Sequence, residues 1–302
     1  MLFRGLGRRL VTGNFLLFLL VPFGSQNAAA QSSGQVLTPF GYMDRANVHL
    51  VLPGYELAQM PDEHIRMQNP KTGDYKDFPK PEDVNPQTAP LPDNGWITYA
   101  SWYNPHRSPV AYFSTDWYVP SAPATYTGQT IFQFNSIEPA TGKSIIQPVL
   151  QYGPSAAGGG NYWVVASWYV YTARNGSTQG YFTTPIQVNA GQFLGGQITL
   201  NWKRQGRYSY TSDFYGINGT SLKIDYIPQL VWCTETLEAY HVSQCSDYPN
   251  SAYSQMFGIY IYLRNGNNPL MNWSVTNAVY DCGTQTSIVN DGSVNATVYI
   301  YF

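Results

Sequence analysis

The chain has 302 residues, of which 11% are charged and 16% aromatic, and its formal net charge is −2 at pH 7. A balance this close to neutrality, with no basic cluster beyond the N-terminus, argues against nucleic acid as a partner. Tyrosine (25), glycine (27) and proline (21) are frequent. This composition favours an all-β fold with many turns and aromatic faces.

The first 30 residues have the pattern of a secretory signal peptide. Three arginines within the first nine residues precede an apolar run at 15–23, and the small-residue run 28–30 follows it. The apolar run is shorter than the roughly 20 residues that span a bilayer. We therefore predict a signal peptide at 1–30, a secreted, extracellular protein, and no membrane partner after signal removal.

Residues 31–95 differ in composition from the rest of the chain. They hold nine of the 18 acidic residues, and their proline-rich stretch at 79–94 predicts an extended linker. We predict a poorly ordered N-terminal arm or a propeptide here. Its carboxylates would pair with the body near neutral pH and release it on acidification.

Short aromatic and β-branched runs recur between turn signals from residue 96 onward, without a helical period. Many strands at this spacing predict a catalytic domain at 96–302 that is an antiparallel β-sandwich of the jelly-roll or concanavalin A-like kind. We expect a monomer. The predicted strands lie at 96–103, 110–118, 130–135, 144–152, 162–171, 196–202, 221–226, 230–240, 256–264 and 297–302.

The three cysteines allow one bridge and one free thiol. Cys233 lies in the middle of a predicted strand, whereas Cys245 and Cys282 lie in turn-rich segments. We predict a disulfide between Cys245 and Cys282, with Cys233 buried and free. An oxidising destination favours such a bridge.

Serine, cysteine and metal chemistry find little support in the sequence. After residue 96 the only histidines are His106 and His241, and there is no G-x-S-x-G elbow. No histidine or cysteine pair has the spacing of metal ligands. Cys245 follows His241 by four residues, but a disulfide explains this cysteine more simply. We predict no metal and no cofactor.

The run 230–240, LVWCTETLEAY, holds two of the three glutamates beyond residue 96. Side chains of a strand alternate between its faces, so Glu238 shares one face with Trp232 and Tyr240, while Glu235 points among apolar neighbours. A buried carboxylate needs a partner or takes a raised pKa. The aromatic and hydroxyl row around Glu238 is typical of a binding face.

The run 144–153, SIIQPVLQYG, places Gln147 and Gln151 on one face of another apolar strand. Pro148 lies between them and indicates an edge or a bulge. A buried glutamine must find hydrogen-bond partners, so a satisfied core amide is one interpretation. The other is a glutamine that faces Glu238 and holds a water and an oxyanion between them.

Five short motifs, taken in order, resemble the glutamic peptidases of the eqolisin type, the scytalidoglutamic peptidase family. The resemblance spans roughly residues 96–249 and depends on the order and spacing of the motifs. They are VPSAP at 119–123, IIQ at 145–147, ASWYVY at 166–171, AGQ at 190–192 and TLEAY at 236–240.

The resemblance implies an acid-acting endopeptidase on a jelly-roll-like sandwich, which the signal-peptide pattern predicts to be secreted. Peptide bonds of protein or peptide substrates would be hydrolysed by a Gln/Glu dyad and an activated water. The family glutamine falls on Gln147 and the family glutamate on Glu238. Glu138 falls on a supporting acidic position, and Trp168 on an aromatic wall position. We expect Trp168, Trp232 and Tyr240 to contact substrate.

The sequence also departs from the family pattern. Phe134 or Phe132 replaces a tryptophan, and Val170 replaces an acid on the aromatic strand. Glu235 and Glu238 are three residues apart, where the family has four. Glu235 is thus an alternative catalytic residue, and a neprosin-like glutamate pair that includes Glu138 is another.

Two other functions fit the same residues. A non-catalytic carbohydrate-binding β-sandwich would use the aromatic face to bind glycans. A glycosidase would use Glu138 with Glu235 or Glu238 as a carboxylate pair. The second requires that the two carboxyl groups face one another across a cleft.

Overall fold

The computed structural model describes residues 34–81 and 95–302. The predicted signal peptide at 1–30 and most of the proline-rich linker lie outside the described residues. The described part of Gln31–Phe302 forms one compact unit. Within it, no helix is long and apolar enough to cross a membrane.

The described residues form 21 strands and three short 3-10 helices. The strands are β1 (Gln35–Thr38), β2 (Gly41–Asp44), β3 (Val48–Leu50), β4 (Glu56–Gln59), β5 (Ile65–Gln68), β6 (Tyr75–Phe78), β7 (Trp96–Tyr103), β8 (Val110–Tyr118), β9 (Thr130–Pro139), β10 (Ser144–Tyr152), β11 (Trp163–Thr172), β12 (Thr178–Phe182), β13 (Ile186–Val188), β14 (Phe193–Arg204), β15 (Arg207–Phe214), β16 (Leu222–Ile227), β17 (Leu230–Tyr240), β18 (Tyr253–Leu263), β19 (Ser274–Asn277), β20 (Gln285–Asn290) and β21 (Val294–Tyr301). The 3-10 helices are Arg45–Asn47, Cys245–Asp247 and Asp281–Gly283.

Two large sheets pack face to face and confirm the predicted β-sandwich. Sheet I has nine strands in the order β19-β7-β17-β9-β10-β11-β12-β3, with β13 beside β11. Sheet II has ten strands in the order β20-β21-β18-β8-β14-β15-β16-β4-β5-β6. Neighbouring strands are antiparallel except at β12–β3 and β16–β4, which are parallel.

The main core lies between the two sheets. It is built from every second residue of each strand, because alternate side chains point to the same face. Cys233 and Leu237 of β17 contribute to it from sheet I, and Phe113 of β8 and Ile198 of β14 from sheet II. A second apolar cluster covers the opposite face of sheet I, with Phe132, Phe134, Val149 and Trp168 among its members.

The N-terminal segment is more ordered than its sequence predicts. Strand β3 extends sheet I beside β12, and β4 to β6 extend sheet II beside β16. Leu57 and Ile65 are fully buried in the main core, and Phe78 is nearly so. Residues 48–78 are therefore an integral part of the sandwich, and a poorly ordered arm does not describe them.

Strands β1 and β2 are a separate element, which we call the N-terminal hairpin. They pair only with each other, from Gln35↔Asp44 to Thr38↔Gly41. Leu37 and Met43 join the second apolar cluster. The hairpin thus lies on the face of sheet I that points away from sheet II, which we call the hairpin face.

The predicted disulfide is confirmed. Cys245 and Cys282 are bridged, with Cα atoms 5.2 Å apart, and Cys233 is free and buried. The bridge closes a loop of 37 residues. In the chain-entropy model such a loop contributes about 3–4 kcal/mol to the free energy of unfolding.

Candidate active site

The two glutamates of β17 point to opposite sides of sheet I, as alternation predicts. Glu235 forms a hydrogen bond with Thr115 of sheet II, so it faces the main core. Glu238 accepts a hydrogen bond from Tyr240, which belongs to the second cluster. A shift in the pairing of β17 with β7 falls between Leu237 and Glu238, but pairing with β9 is regular there. Glu238 therefore lies on the hairpin face.

The strand register brings Gln151 level with Glu238. Phe132 of β9 pairs with Gln151 of β10 on one side and with Glu238 of β17 on the other. Directly paired residues point to the same face, so all three lie on the hairpin face. Two strand spacings separate Gln151 from Glu238, which is about 10 Å between their Cα atoms.

Gln147, the glutamine expected to partner Glu238, is not brought to it. Ile146 pairs with Ile137 and Val149 with Phe134, so Gln147 lies level with Ser136 and Thr234. Gln147 is four residues from Gln151, or about 13 Å along β10. The two glutamines share a face, and alternation alone therefore could not separate them.

The Glu238 carboxyl is fully buried on the hairpin face. The Tyr240 hydroxyl donates to Oε1 at 2.5 Å, and Oε2 has no hydrogen-bond partner among the described residues. Burial raises the pKa of Glu238 from 4.5 to about 8, and the hydrogen bond from Tyr240 opposes that shift. The carboxyl is therefore protonated at acid pH in this state.

The Gln151 side chain is held by the glycine-rich turn that follows β10. Its Nε2 donates to the carbonyl oxygens of Gly153 at 2.7 Å and Gly158 at 2.8 Å. Its Oε1 accepts from Ser155 Oγ at 2.8 Å. A Cβ atom at Gly159 would lie 2.5 Å from Gln151 Nε2, so the turn requires glycine there. These bonds fix the orientation of the amide.

Glu235 is a core carboxyl. It is fully buried, and Oε2 lacks a hydrogen-bond partner among the described residues. Burial raises its pKa well above 4.5, although the hydrogen bond from Thr115 lowers it. Asn135 is its cross-strand partner on β9. The carboxyl therefore faces away from the hairpin face, on which both glutamines expected to act with it lie.

Glu138 lies at the other end of the hairpin face from Glu238. Glu138 pairs with Trp232 of β17. It lies six residues along β9 from Phe132, the residue that pairs with Glu238, which is a distance of about 20 Å. Burial raises its pKa from 4.5 to about 8. Carboxyl pairs of glycosidases lie roughly 5–9.5 Å apart. A pair of Glu138 with Glu238 does not fit this spacing, and Glu235, the other possible partner, faces the opposite side of sheet I.

The expected substrate-binding aromatics lie on the hairpin face. Trp168 pairs with Gln147 across the strands and stacks on Phe182, with ring centroids 4.9 Å apart. Trp232 stacks on Trp96 at 5.8 Å. Tyr240 is buried beside Glu238, where Gly95 allows the ring to pack closely. They line different parts of the face.

The N-terminal hairpin covers both ends of this site. The Gln147 Nε2 donates to the carbonyl oxygen of Pro39 at 3.0 Å. The Tyr42 ring lies edge-on to Tyr240, with centroids 6.2 Å apart, and its hydroxyl is 2.6 Å from Nε2 of His241. The sequence carried no signal that this segment folds over Glu238.

The buried carboxyls predict that stability falls as the pH rises between about 6.5 and about 8. Glu138 and Glu238 have pKa values raised to about 8, and that of Glu235 is also raised, so the folded chain retains protons that the unfolded chain has lost. The pKa of His49 is lowered from 6.5 to about 4, so this histidine opposes the trend only below about pH 6.5. One pKa unit corresponds to about 1.4 kcal/mol.

We expect the melting temperature to drop by roughly 10 °C across this window, because about 1 kcal/mol corresponds to 2–4 °C at this chain size. Glu235→Gln imitates the protonated acid. The melting temperature of that variant should match the parent's near pH 5 and exceed it at pH 8. Thermal melts at both pH values measure this, and a melting temperature that rises with pH would contradict it.

The described residues contain no group of three or more His, Cys, Asp or Glu side chains that would hold a metal ion. Neither a protein-family model nor a curated protein matches the sequence.

Several solved structures match this chain, all with TM-scores below 0.5. Scytalido-glutamic peptidase with a peptide-based transition-state analog is 13% identical, and the match covers 70% of this chain and 99% of that chain at a TM-score of 0.43. An eqolisin-family peptidase in complex with a tripeptide is 13% identical, and the match covers 70% of this chain and 98% of that chain at a TM-score of 0.40. A Bacillus licheniformis β-glucanase is 11% identical, and the match covers 75% of this chain and 90% of that chain at a TM-score of 0.28. Scores this low carry no weight for the chemistry of this chain.

Proposed function

We propose that this protein is a glutamic endopeptidase whose catalytic residues are Glu238 and Gln151. The observation that carries the proposal is the register that places both residues level on the hairpin face, on either side of Phe132. Their Cα atoms are about 10 Å apart, so a peptide bond and a water that lie over the Phe132 ring would reach both the carboxyl and the carboxamide.

In this mechanism Glu238 takes a proton from the attacking water and passes it to the leaving amine. Gln151 donates an amide hydrogen to the oxyanion of the tetrahedral intermediate, and removal of one such donor typically costs 10²–10³ in kcat. Both amide hydrogens are bonded to the glycine-rich turn. Donation to the oxyanion therefore requires that the turn release one of them, and the flanking glycines permit that change.

The state with the hairpin in place is inactive in this proposal. The hairpin occupies the face where substrate would lie, and burial keeps Glu238 protonated below about pH 8. When the hairpin leaves, water reaches the carboxyl and its pKa returns towards 4.5. The base is then ionised in moderately acidic solution. The inhibitory part of 31–95 is thus the hairpin, since residues 48–78 belong to the sandwich.

Among the described residues, two ion pairs join the rest of the segment to the body. Lys223 Nζ lies 2.7 Å from Glu56, and Arg174 Nε lies 3.3 Å from Glu63. Both pairs involve residues outside the hairpin. Acidification would weaken them, but the buried apolar residues of β4 to β6 would still hold the segment in place.

Digestion of an unfolded protein by the purified chain tests the function. We expect peptide-bond cleavage at acid pH that chelators and serine-directed reagents do not inhibit. A carbohydrate-binding module would bind glycans without cleaving protein, and a glycosidase would release sugars instead. Absence of proteolysis across acid and neutral pH, or its loss with a chelator, would overturn the proposal.

We further propose that the protein is secreted. The basic start, the short apolar run at 15–23 and the small residues at 28–30 support export, and the Cys245–Cys282 bridge suits an oxidising compartment. N-terminal sequencing of the exported protein should begin at or after Gln31. An intact Met1 on exported protein would contradict this.

A further inference from the structure

We infer that Gln147 is a positioning residue that binds the main chain of the substrate at a subsite away from the scissile bond. The inference rests on the proposed endopeptidase function and adds to it a specific contact. Gln147 is fully buried, shares the hairpin face with Gln151 and lies about 13 Å from it along β10. An extended peptide covers that distance with about four residues.

The hairpin shows how Gln147 binds a peptide. Its Nε2 donates to the main-chain carbonyl oxygen of Pro39, in the turn between β1 and β2. Its Oε1 is buried and has no hydrogen-bond partner among the described residues. One end of the amide is therefore satisfied by the hairpin and the other is not. An acceptor left in this way carries an energetic cost that a fitting ligand would remove.

The hairpin turn offers Gln147 a carbonyl with no N–H beside it. In an extended chain the N–H and C=O groups of one residue point to the same side, so a primary amide can pair with both. Pro39 supplies the carbonyl but has no N–H. A substrate with an N–H there would therefore bind Gln147 with two hydrogen bonds, where the hairpin makes one.

Gln147 thus selects for an unmodified peptide group at one subsite and against proline. The incomplete bond also makes the hairpin a ligand that a substrate can displace. Neighbouring side chains support this role for Gln147. Ser136 and Thr234, level with it on the next two strands, bond to each other at 2.7 Å and leave the amide free for the ligand.

A series of peptides tests the inference. Each peptide carries a single N-methyl group at successive positions on either side of the cleaved bond, and kcat/KM is measured at acid pH with the full chain and with its Gln147→Ala variant. The hairpin affects every peptide alike, so ratios between peptides are independent of its occupancy. We expect one position, about four residues from the cleaved bond, where N-methylation lowers kcat/KM about tenfold, the loss of one hydrogen bond.

In Gln147→Ala this discrimination should disappear at that position alone, while kcat for the unmodified peptide changes little. Gln133→Ala is the matched control, since Gln133 is a buried glutamine that bonds Ser254 on the core side of sheet I. It should retain the discrimination.

Cleavage with no Gln147-dependent position would overturn the inference and leave the proposed function standing. An effect of the same size in Gln133→Ala would also overturn it, because a structural role would then suffice. If the parent chain cleaves none of the peptides, the proposed function falls and the inference falls with it.

Discussion

Glu238→Gln should abolish proteolysis while leaving the fold intact. The amide cannot accept the proton of the attacking water, so the base is removed. Size and shape are kept, and the side-chain oxygen still accepts a hydrogen bond from Tyr240. Because the native carboxyl is protonated below about pH 8 in the state with the hairpin in place, the variant should melt near the parent temperature at pH 5. We expect turnover at background level.

The matched control is Glu235→Gln, three residues away on the same strand. Its carboxyl faces Thr115 in the main core, so turnover should persist in this variant. Proteolysis and a thermal melt are measured at acid pH for both proteins. A folded Glu238→Gln chain with full activity would contradict the account. Loss of activity in folded Glu235→Gln alone would show that the two roles are reversed.

The second large effect concerns two truncations of the N-terminal segment. A chain that begins at Val48 loses the hairpin but keeps β3 to β6. It should fold and digest protein roughly 10- to 100-fold faster near neutral pH, since apparent activity scales with the fraction of open molecules. The site is then free of Pro39 and Tyr42, both of which contact it through the hairpin.

A chain that begins at Gly95 should instead fail to fold. It lacks Leu57, Ile65 and Phe78, whose removal from the core costs about 2–5 kcal/mol each. The sum approaches the whole free energy of unfolding of a typical domain, about 5–15 kcal/mol. It also exposes the edges of β12 and β16. Circular dichroism and protease assays compare the two. A folded, active chain from Gly95 would contradict the structure of this segment.

Much of the sandwich follows from the sequence. The predicted bounds 96–103, 110–118, 144–152 and 230–240 coincide with β7, β8, β10 and β17. Each of these runs is rich in aromatic or apolar residues, and turn signals flank most of them. Strand β15 was not predicted, because its RYSYTSDF sequence is rich in polar residues and begins only three residues after the end of β14.

The N-terminal strands could not be predicted from local pattern. Strands β3 to β6 are three or four residues long, and about half of their residues are polar. Strands β3 and β4 pair in parallel with β12 and β16, far away in the chain, and β5 and β6 extend the sheet from β4. The acidic and proline-rich composition of 31–95 therefore indicated disorder, although tertiary contacts supply the order.

The position of the two glutamines along the strand could not be predicted either. Alternation assigns Gln147 and Gln151 to one face, which is correct, but it gives no position along the strand. That position is set by the pairing of β10 with β9 and of β9 with β17. The resemblance to the family pointed to Gln147, whereas the register places Gln151 level with Glu238.

The measurement that tests the central claim most directly compares kcat for Gln151→Ala and Gln147→Ala on one unmodified peptide at acid pH. The account predicts that Gln151→Ala loses 10²–10³ in kcat, as for removal of an oxyanion donor. Gln147→Ala should keep kcat within a few fold and show its effect in KM. A folded Gln151→Ala chain with unchanged kcat, beside a Gln147→Ala chain with kcat reduced by orders of magnitude, would contradict it.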